Sequence, residues 1–265
     1  MKRFLHKITI LLIVIISSSC ASNFQNIEHL YLSQKYQEAI SDLNEYLFFH
    51  VSDVKAFHMR ARCYEEIGRM DKAKQDYQRI LLIDDQYAQA YAGLGKILFD
   101  EKNYKDADLL LLRAANLDPT DFEIFYLLGR NQLMLQDFKT AEQWLRRAAE
   151  IEPKYAKTYF YTGMALAFQG DALGSAASFN SYIKYEPDHL IGRYNRGFAL
   201  MSAGYLPWAL EDFDAVLEQK PDHIEALARK GHCLAKMGNP EGCQMLQNAA
   251  TKGSDYAKSN LGECG

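Results

Sequence analysis

"EPDHLIGRYNRG" (residues 186–197) and "KPDHIEALARKG" (residues 220–231) place Pro-Asp-His and a closing glycine at the same offsets, 34 residues apart. Two explanations compete. His189 and His223, each preceded by an acid, have the chemistry of metal ligands or general bases; alternatively, both strings mark the junction of a repeated structural unit. The interval decides, because a fixed period of roughly 20–50 residues is the signature of stacked repeats.

The period runs through most of the chain. Prolines recur at Pro119, Pro153, Pro187 and Pro221, and glycines at Gly95, Gly129, Gly163, Gly197 and Gly231. A third series joins Ala39, Ala73, Ala107, Ala141 and Ala209, with Ser175 and Cys243 in the two remaining slots. Where the histidines stand, other copies carry Asp121 and Tyr155, so the pattern does not need an imidazole. A histidine without a carboxylate or cysteine cluster has no co-ligands for a metal. Both are therefore expected at exposed junctions, and neither a metal nor a cofactor is expected.

Within each period the pattern is helix, short turn, helix. "FEIFYLLGRNQLML" from Phe122 spaces its apolar residues by three and four, "QDF" interrupts, and "KTAEQWLRRAAEIEP" resumes the spacing. Four prolines close second helices, while Pro207 and Pro240 fall near helix starts, where a missing N–H costs little. Gly68, Gly170, Gly204 and Gly238 occupy the intervening turns. No segment alternates well enough for a strand.

Composition is consistent with a repeat protein. The formal net charge of -4 argues against a nucleic-acid surface, which needs a basic face to displace counterions. No Ser/Gly/Pro-rich linker divides the chain, which reads as one continuous body. An enzyme is not expected: the sequence has no Gly-rich phosphate loop, no Gly-x-Ser-x-Gly, no His-Glu-x-x-His and no paired Cys motif. Cys63 and Cys243 occupy slots suited to buried free thiols; Cys233 and Cys264 stay undecided, and an oxidising compartment would allow several pairings.

The first residues differ from the rest. "MKRFLHK" is a basic start, "ITILLIVII" a nine-residue apolar core, and "SSSC" a small-residue end. A membrane-spanning helix needs about twenty apolar residues, so residues 1–19 read as an export signal. The segment resembles bacterial lipoprotein signals, which implies cleavage before Cys20 and lipidation of Cys20. Ser17 departs from the aliphatic residue usual three places before that cysteine, which leaves cleavage elsewhere in the serine run as the alternative.

The repeat itself resembles the tetratricopeptide repeat. The unit from Ala88 offers Tyr91, Leu94, Gly95, Leu98, Tyr104, Ala107, Leu111, Ala114 and Pro119 at the family's positions, and the unit from Phe122 matches as closely. Units near 20–53, 54–87, 88–121, 122–155, 156–189, 190–223 and 224–257 result; "SDYAKSNLG" (residues 254–262) reads as a short final helix covering the last unit, with the capping helix and tail bounded at 258–265. The resemblance implies an all-α, right-handed superhelical solenoid of about seven helix-turn-helix units plus a C-terminal capping helix.

In that family, positions 2, 5, 9 and 12 of each first helix line a concave groove. Here the stripe carries Tyr126, Leu133, Phe160, Met164, Tyr194, Phe198 and Met201, with Tyr161 and Asn195 beside it. Lys96 and Arg130 precede this apolar section; Arg229 and His232 follow it. The resemblance implies a groove for a protein or peptide segment, with Tyr126, Phe160, Tyr194 and Phe198 on one wall, Asn195 on the segment's backbone, and Arg130 and Arg229 selecting acidic flanks. Aromatics at helical spacing also serve as core, which is the competing reading. Repeat lipoproteins that assist pilus or secretin assembly, or recruit cell-wall enzymes, suggest an envelope adaptor anchored through Cys20. A structural subunit using its convex face is the alternative, and a co-chaperone is weaker because that class's ordered Lys and Asn set is missing.

Overall fold

The computed structural model describes residues 24–264; the proposed signal over residues 1–19 and Cys20 lie outside them. The described residues form helices α1 (residues 24–32), α2 (Tyr36–Phe49), α3 (Val54–Glu66), α4 (Met70–Ile83), α5 (Ala88–Asp100), α6 (Tyr104–Leu117), α7 (Phe122–Met134) and α8 (Phe138–Ile151). There follow α9 (Ala156–Phe168), α10 (Ala172–Tyr185), α11 (Leu190–Ser202), α12 (Leu206–Gln219), α13 (Ile224–Lys236), α14 (Glu241–Thr251) and α15 (Asp255–Asn260), then a 3-10 turn over Leu261–Cys264. No strand occurs among the described residues, and none of their helices is long and apolar enough to cross a membrane. The helices fall into two compact units that divide between Pro119 and Thr120, inside the repeat register and without a linker.

Each helix pair closes on small residues. Ala39, Ala73, Ala107, Ala141, Ala209 and Ser175 are fully buried on second helices. From α5 onward a glycine of the first helix enters this contact, while α1 and α3 carry Ile27 and Ala61 at the equivalent place. A Cβ on Gly129 would strike the Leu145 side chain and come within 3.2 Å of the Leu145 backbone nitrogen, so the approach of α7 to α8 depends on that hydrogen. The turn inside each pair needs one residue in the left-handed region. Gly68, Gly170, Gly204 and Gly238 supply it at φ of 75 to 84°, but Gln34, Lys102 and Gln136 hold the same place at 60 to 64°. Glycine-based reading missed those three.

Both junction histidines stand at N-cap positions, His189 exposed and without a side-chain cap bond, His223 half-buried and bonded. His223 Nδ1 accepts the Ala226 N–H at 3.1 Å, and His189 precedes α11 with its ring 5.8 Å from that of Tyr182. Asp53, Asp121, Asp137 and Asp171 cap other helices through side-chain oxygens.

Two pairs carry a buried arginine–aspartate clamp between their helices. In the C-terminal unit, Asp212 takes two hydrogen bonds from Arg196, at 2.9 and 2.7 Å, while Asn180 of the preceding pair accepts a third at 2.7 Å. Arg60, Asp76 and Asn44 repeat the arrangement in the N-terminal unit. At the places of Arg196 and Asp212, two other pairs carry Leu94 with Leu110 and Leu128 with Trp144, so an apolar pairing also fits there.

Two expectations require correction. Cys243 is not a free thiol: it forms a disulfide with Cys264, their Cα atoms 5.6 Å apart, because the cap folds back over α14. Cys63 and Cys233 are free and buried, and burial pushes both thiols up to about 11. The final helix starts at Asp255, within "SDYAKSNLG" and ahead of the 258 boundary, because Ser254 caps it by accepting the Ala257 N–H at 3.1 Å.

Asp212 is buried, so Arg196→Leu should strand its carboxylate and cost about 2 to 4 kcal/mol; adding Asp212→Leu, which recreates the Leu94 and Leu110 pairing, should recover most of it. Chemical denaturation of the single and double variants checks this, and a double variant as unstable as the single refutes it.

Candidate functional site

The residues expected to line the groove lie on α7, α9, α11 and α13 of the C-terminal unit, and the structure gathers most of them into two clusters. In the first, the Tyr126 ring stacks on Phe122 at 5.7 Å and meets Tyr155 and Tyr161 edge-on at 5.2 and 5.9 Å. The Arg130 guanidinium lies 5.5 Å from the Tyr126 ring centre and 5.3 Å from that of Tyr161. Tyr126 is buried, and burial, followed by the neighbouring Tyr155, pushes its phenol well above the usual tyrosine range. Tyr126 is thus a supporting core ring. Tyr161 and Arg130 form the half-buried part of the cluster.

The second cluster is built around Arg229. Its guanidinium sits 5.4 Å from the Tyr194 ring centre, 5.0 Å from Phe198 and 4.4 Å from Tyr256, which the cap helix α15 contributes. Glu225, one helical turn earlier, accepts from Arg229 at 2.7 Å and is held in turn by the Ser254 hydroxyl at 2.8 Å. Arg229 Nε is buried without a hydrogen-bond partner. Phe198 is the open edge of the cluster at 37% exposure, whereas Tyr194 backs onto Phe213 and His223.

Phe160 departs from the expectation. Its ring packs at 5.7 Å on Phe179 and 5.3 Å on Tyr182, both buried on α10. It is half-buried against the second helix of its own pair and meets Tyr161 edge-on at 5.5 Å. Met164 and Asn195 are half-buried on α9 and α11. Lys96 belongs to the N-terminal unit and is bound at 2.6 Å by Glu65, which also accepts from the Tyr77 hydroxyl at 2.7 Å.

His232 adjoins the second cluster. Its Nδ1 is 2.5 Å from the Tyr256 hydroxyl, and its Nε2 is 3.0 Å from a Glu263 carboxylate oxygen but out of line for a hydrogen bond. Burial holds the imidazole below its ordinary range and outweighs the pull of the half-exposed Glu263, with Lys236 acting in the same direction as burial. Sequence reading missed Tyr155 and Tyr256. Tyr155 sits at a junction, and Tyr256 in a segment read only as a cap.

Profiles of the tetratricopeptide repeat match residues 54–87, 93–156 and 162–224. Among solved structures, the chain is similar to YrrB, described as a TPR protein with an unusual peptide-binding site, at 25% identity and a TM-score of 0.63, covering 70% of this chain and 95% of that one. PilF of Pseudomonas aeruginosa is similar in fold, with 15% identity, a TM-score of 0.68, and coverage of 79% and 96%. Among curated proteins, the Hsp70-Hsp90 organizing protein of Triticum aestivum is 27% identical over 95 residues, which is 36% of this chain. The chain spans 16% of the length of that relative.

Because folding lowers the proton affinity of His232, the unfolded chain takes up its proton first as pH falls. The stability owed to neutral His232 is complete above about pH 6.5, the unfolded value, and is lost as pH falls toward the lower folded value. His232→Gln should flatten the fall in melting temperature between about pH 7.5 and pH 5. Equal slopes for both proteins would refute the assignment.

Proposed function

The chain belongs to the tetratricopeptide-repeat family, whose helix pairs bind protein or peptide segments, and on that premise we propose that it is a lipid-anchored adaptor of a bacterial cell envelope. Its occupant is a segment of another exported protein that carries acidic residues beside apolar anchors. The observation behind this reading is the pair of arginines, Arg130 and Arg229, each held against aromatic rings from first helices.

The physical argument is one of preorganisation. A free arginine loses rotamer entropy on binding, but rings at 4.4 to 5.5 Å already restrict these two guanidiniums. A carboxylate of the partner gains a fixed donor, and Phe198 offers an adjacent apolar edge. Aromatic and arginine residues of this kind concentrate binding energy. YrrB, with its peptide-binding site, supports a peptide occupant. Lipidation at Cys20 would place the adaptor at the membrane, since several acyl chains at ~0.8 kcal/mol per buried methylene give stable anchoring.

A second reading, a fixed subunit docked through its convex face and edges, draws on a different surface. An open cleft of about 430 Å³ is lined by Ala176, Asn180, Arg196, Leu200, Trp208 and Glu211. Trp208 is exposed at its rim and stacks on Tyr205 at 5.2 Å.

Photocrosslinking amino acids at residues 198 and 208 separate the two. Position 198 should trap an exported protein, and Phe198→Ala should weaken the captured partner about fivefold, near 1 kcal/mol, with little change in melting. Trapping at 208 alone would favour the subunit. Cys20→Ser should abolish fatty-acid labelling and move the protein out of the membrane fraction; retained labelling would refute the anchor.

A further inference from the structure

We propose that the N-terminal unit rests against the bilayer through an apolar rim formed by Phe48, Phe49, Val51 and Leu82. The inference builds on the anchor proposed at Cys20 and adds a second, noncovalent point of membrane contact.

The rim is exposed where a water-facing surface has no use for it. Phe48 is 77% exposed, Phe49 72%, Val51 58% and Leu82 79%. The rings of Phe48 and Phe49 meet edge-on at 5.1 Å, so they present one joined apolar surface. Scattered apolar residues need no explanation, but here two rings are joined, Val51 follows two residues later, and Leu82 is exposed at the equivalent place of the next repeat.

Its location identifies the contact. The end of α2 returns beside the start of α1: the Phe24 ring lies 5.2 Å from Tyr46, which stacks on His50 at 4.0 Å. His50 immediately follows Phe49. Cys20 precedes Phe24 by four residues, a span of at most about 14 Å. A lipid on Cys20 therefore keeps Phe48, Phe49 and Val51 within reach of the headgroup and acyl boundary.

The repeat register gives an internal comparison. Phe48 and Leu82 occupy equivalent places at the ends of the second helices nearest Cys20. In the following repeats that place holds Asn116, Glu150, Lys184 and Glu218. At that place the apolar choice is confined to the two repeats nearest Cys20, whereas the place of Phe49 stays apolar in Ile83, Leu117 and Ile151.

Charge selects the kind of surface. Ser52, Asp53, Asp84 and Asp85 flank the rim, so it offers no basic cluster for anionic lipid. The fitting partner is the apolar boundary beneath zwitterionic headgroups, entered by side chains and not attracted by field. A second copy of the chain or a protein partner would bring its own apolar face, and the test separates these.

The test uses the full-length chain carrying an environment-sensitive fluorophore on a cysteine at residue 49, 82 or 218, with and without Cys20→Ser. On phosphatidylethanolamine and phosphatidylcholine vesicles, labels at 49 and 82 should shift to the blue and be quenched by spin-labelled lipid. The label at 218 should do neither. In the Cys20→Ser chain, Phe48→Ser with Phe49→Ser should weaken residual vesicle binding about tenfold or more, and adding phosphatidylglycerol should not strengthen it.

A water-exposed label at 49 on an acylated, vesicle-bound chain overturns the rim and leaves the anchor standing. Missing acylation removes the anchor, while vesicle binding by the Cys20→Ser chain still scores the rim. A blue shift that follows protein concentration without vesicles assigns the face to a second copy, and a requirement for anionic lipid refutes the apolar chemistry; either result overturns the proposal.

Discussion

The approach of two helices over a pair of small residues is the constraint on which the rest of the structure depends. Once Gly129 and Ala141 let α7 and α8 come together, large side chains such as Leu128 and Leu145 fill the spaces left on either side. Interiors tolerate neither voids nor overlap, so this exchange of small for large fixes the rotation of each helix about its own axis. The face left over on the first helices is then determined. That is how a requirement for packing ends by placing Tyr161, Arg130, Phe198 and Arg229 at the partly open edges of ring clusters.

Both arginines lie against aromatic rings, which stabilise their charge without taking up their N–H donors. The aromatic faces already stabilise the positive charge of Arg229, so another cation has no place there, and Glu225 takes up one of its donors. Tyr256 couples the second cluster to the cap. Through Tyr256 and Ser254, the short α15 helix acts on the orientation of a residue on α13.

Much of the fold was legible because the period is strict. Seven turn positions recur at the same offset, and four of them carry glycine. The turns at Gln34, Lys102 and Gln136 were hidden because their left-handed conformation is imposed by helix packing against local preference. The site was less legible. Tyr126 and Phe160 share one repeat position, yet Phe160 packs on its own pair and Tyr161 carries the contact to Tyr126. One residue rotates a side chain by about 100° around a helix, enough to move it from a groove to a core. The disulfide was misread for a similar reason: Cys243 occupies an alanine slot, and its partner becomes visible only when the cap folds back.

That bond changes the character of the C-terminal boundary. Repeats that touch only their neighbours lose structure first at their ends, where half of the supporting contacts are missing. Cys243 and Cys264, 21 positions apart, enclose most of α14 and all of α15 in one covalent ring. While oxidised, the terminal helix can peel away from Arg229 only as far as the ring permits, and its departure gains little entropy. A frayed margin becomes, in thermodynamic terms, another stretch of interior.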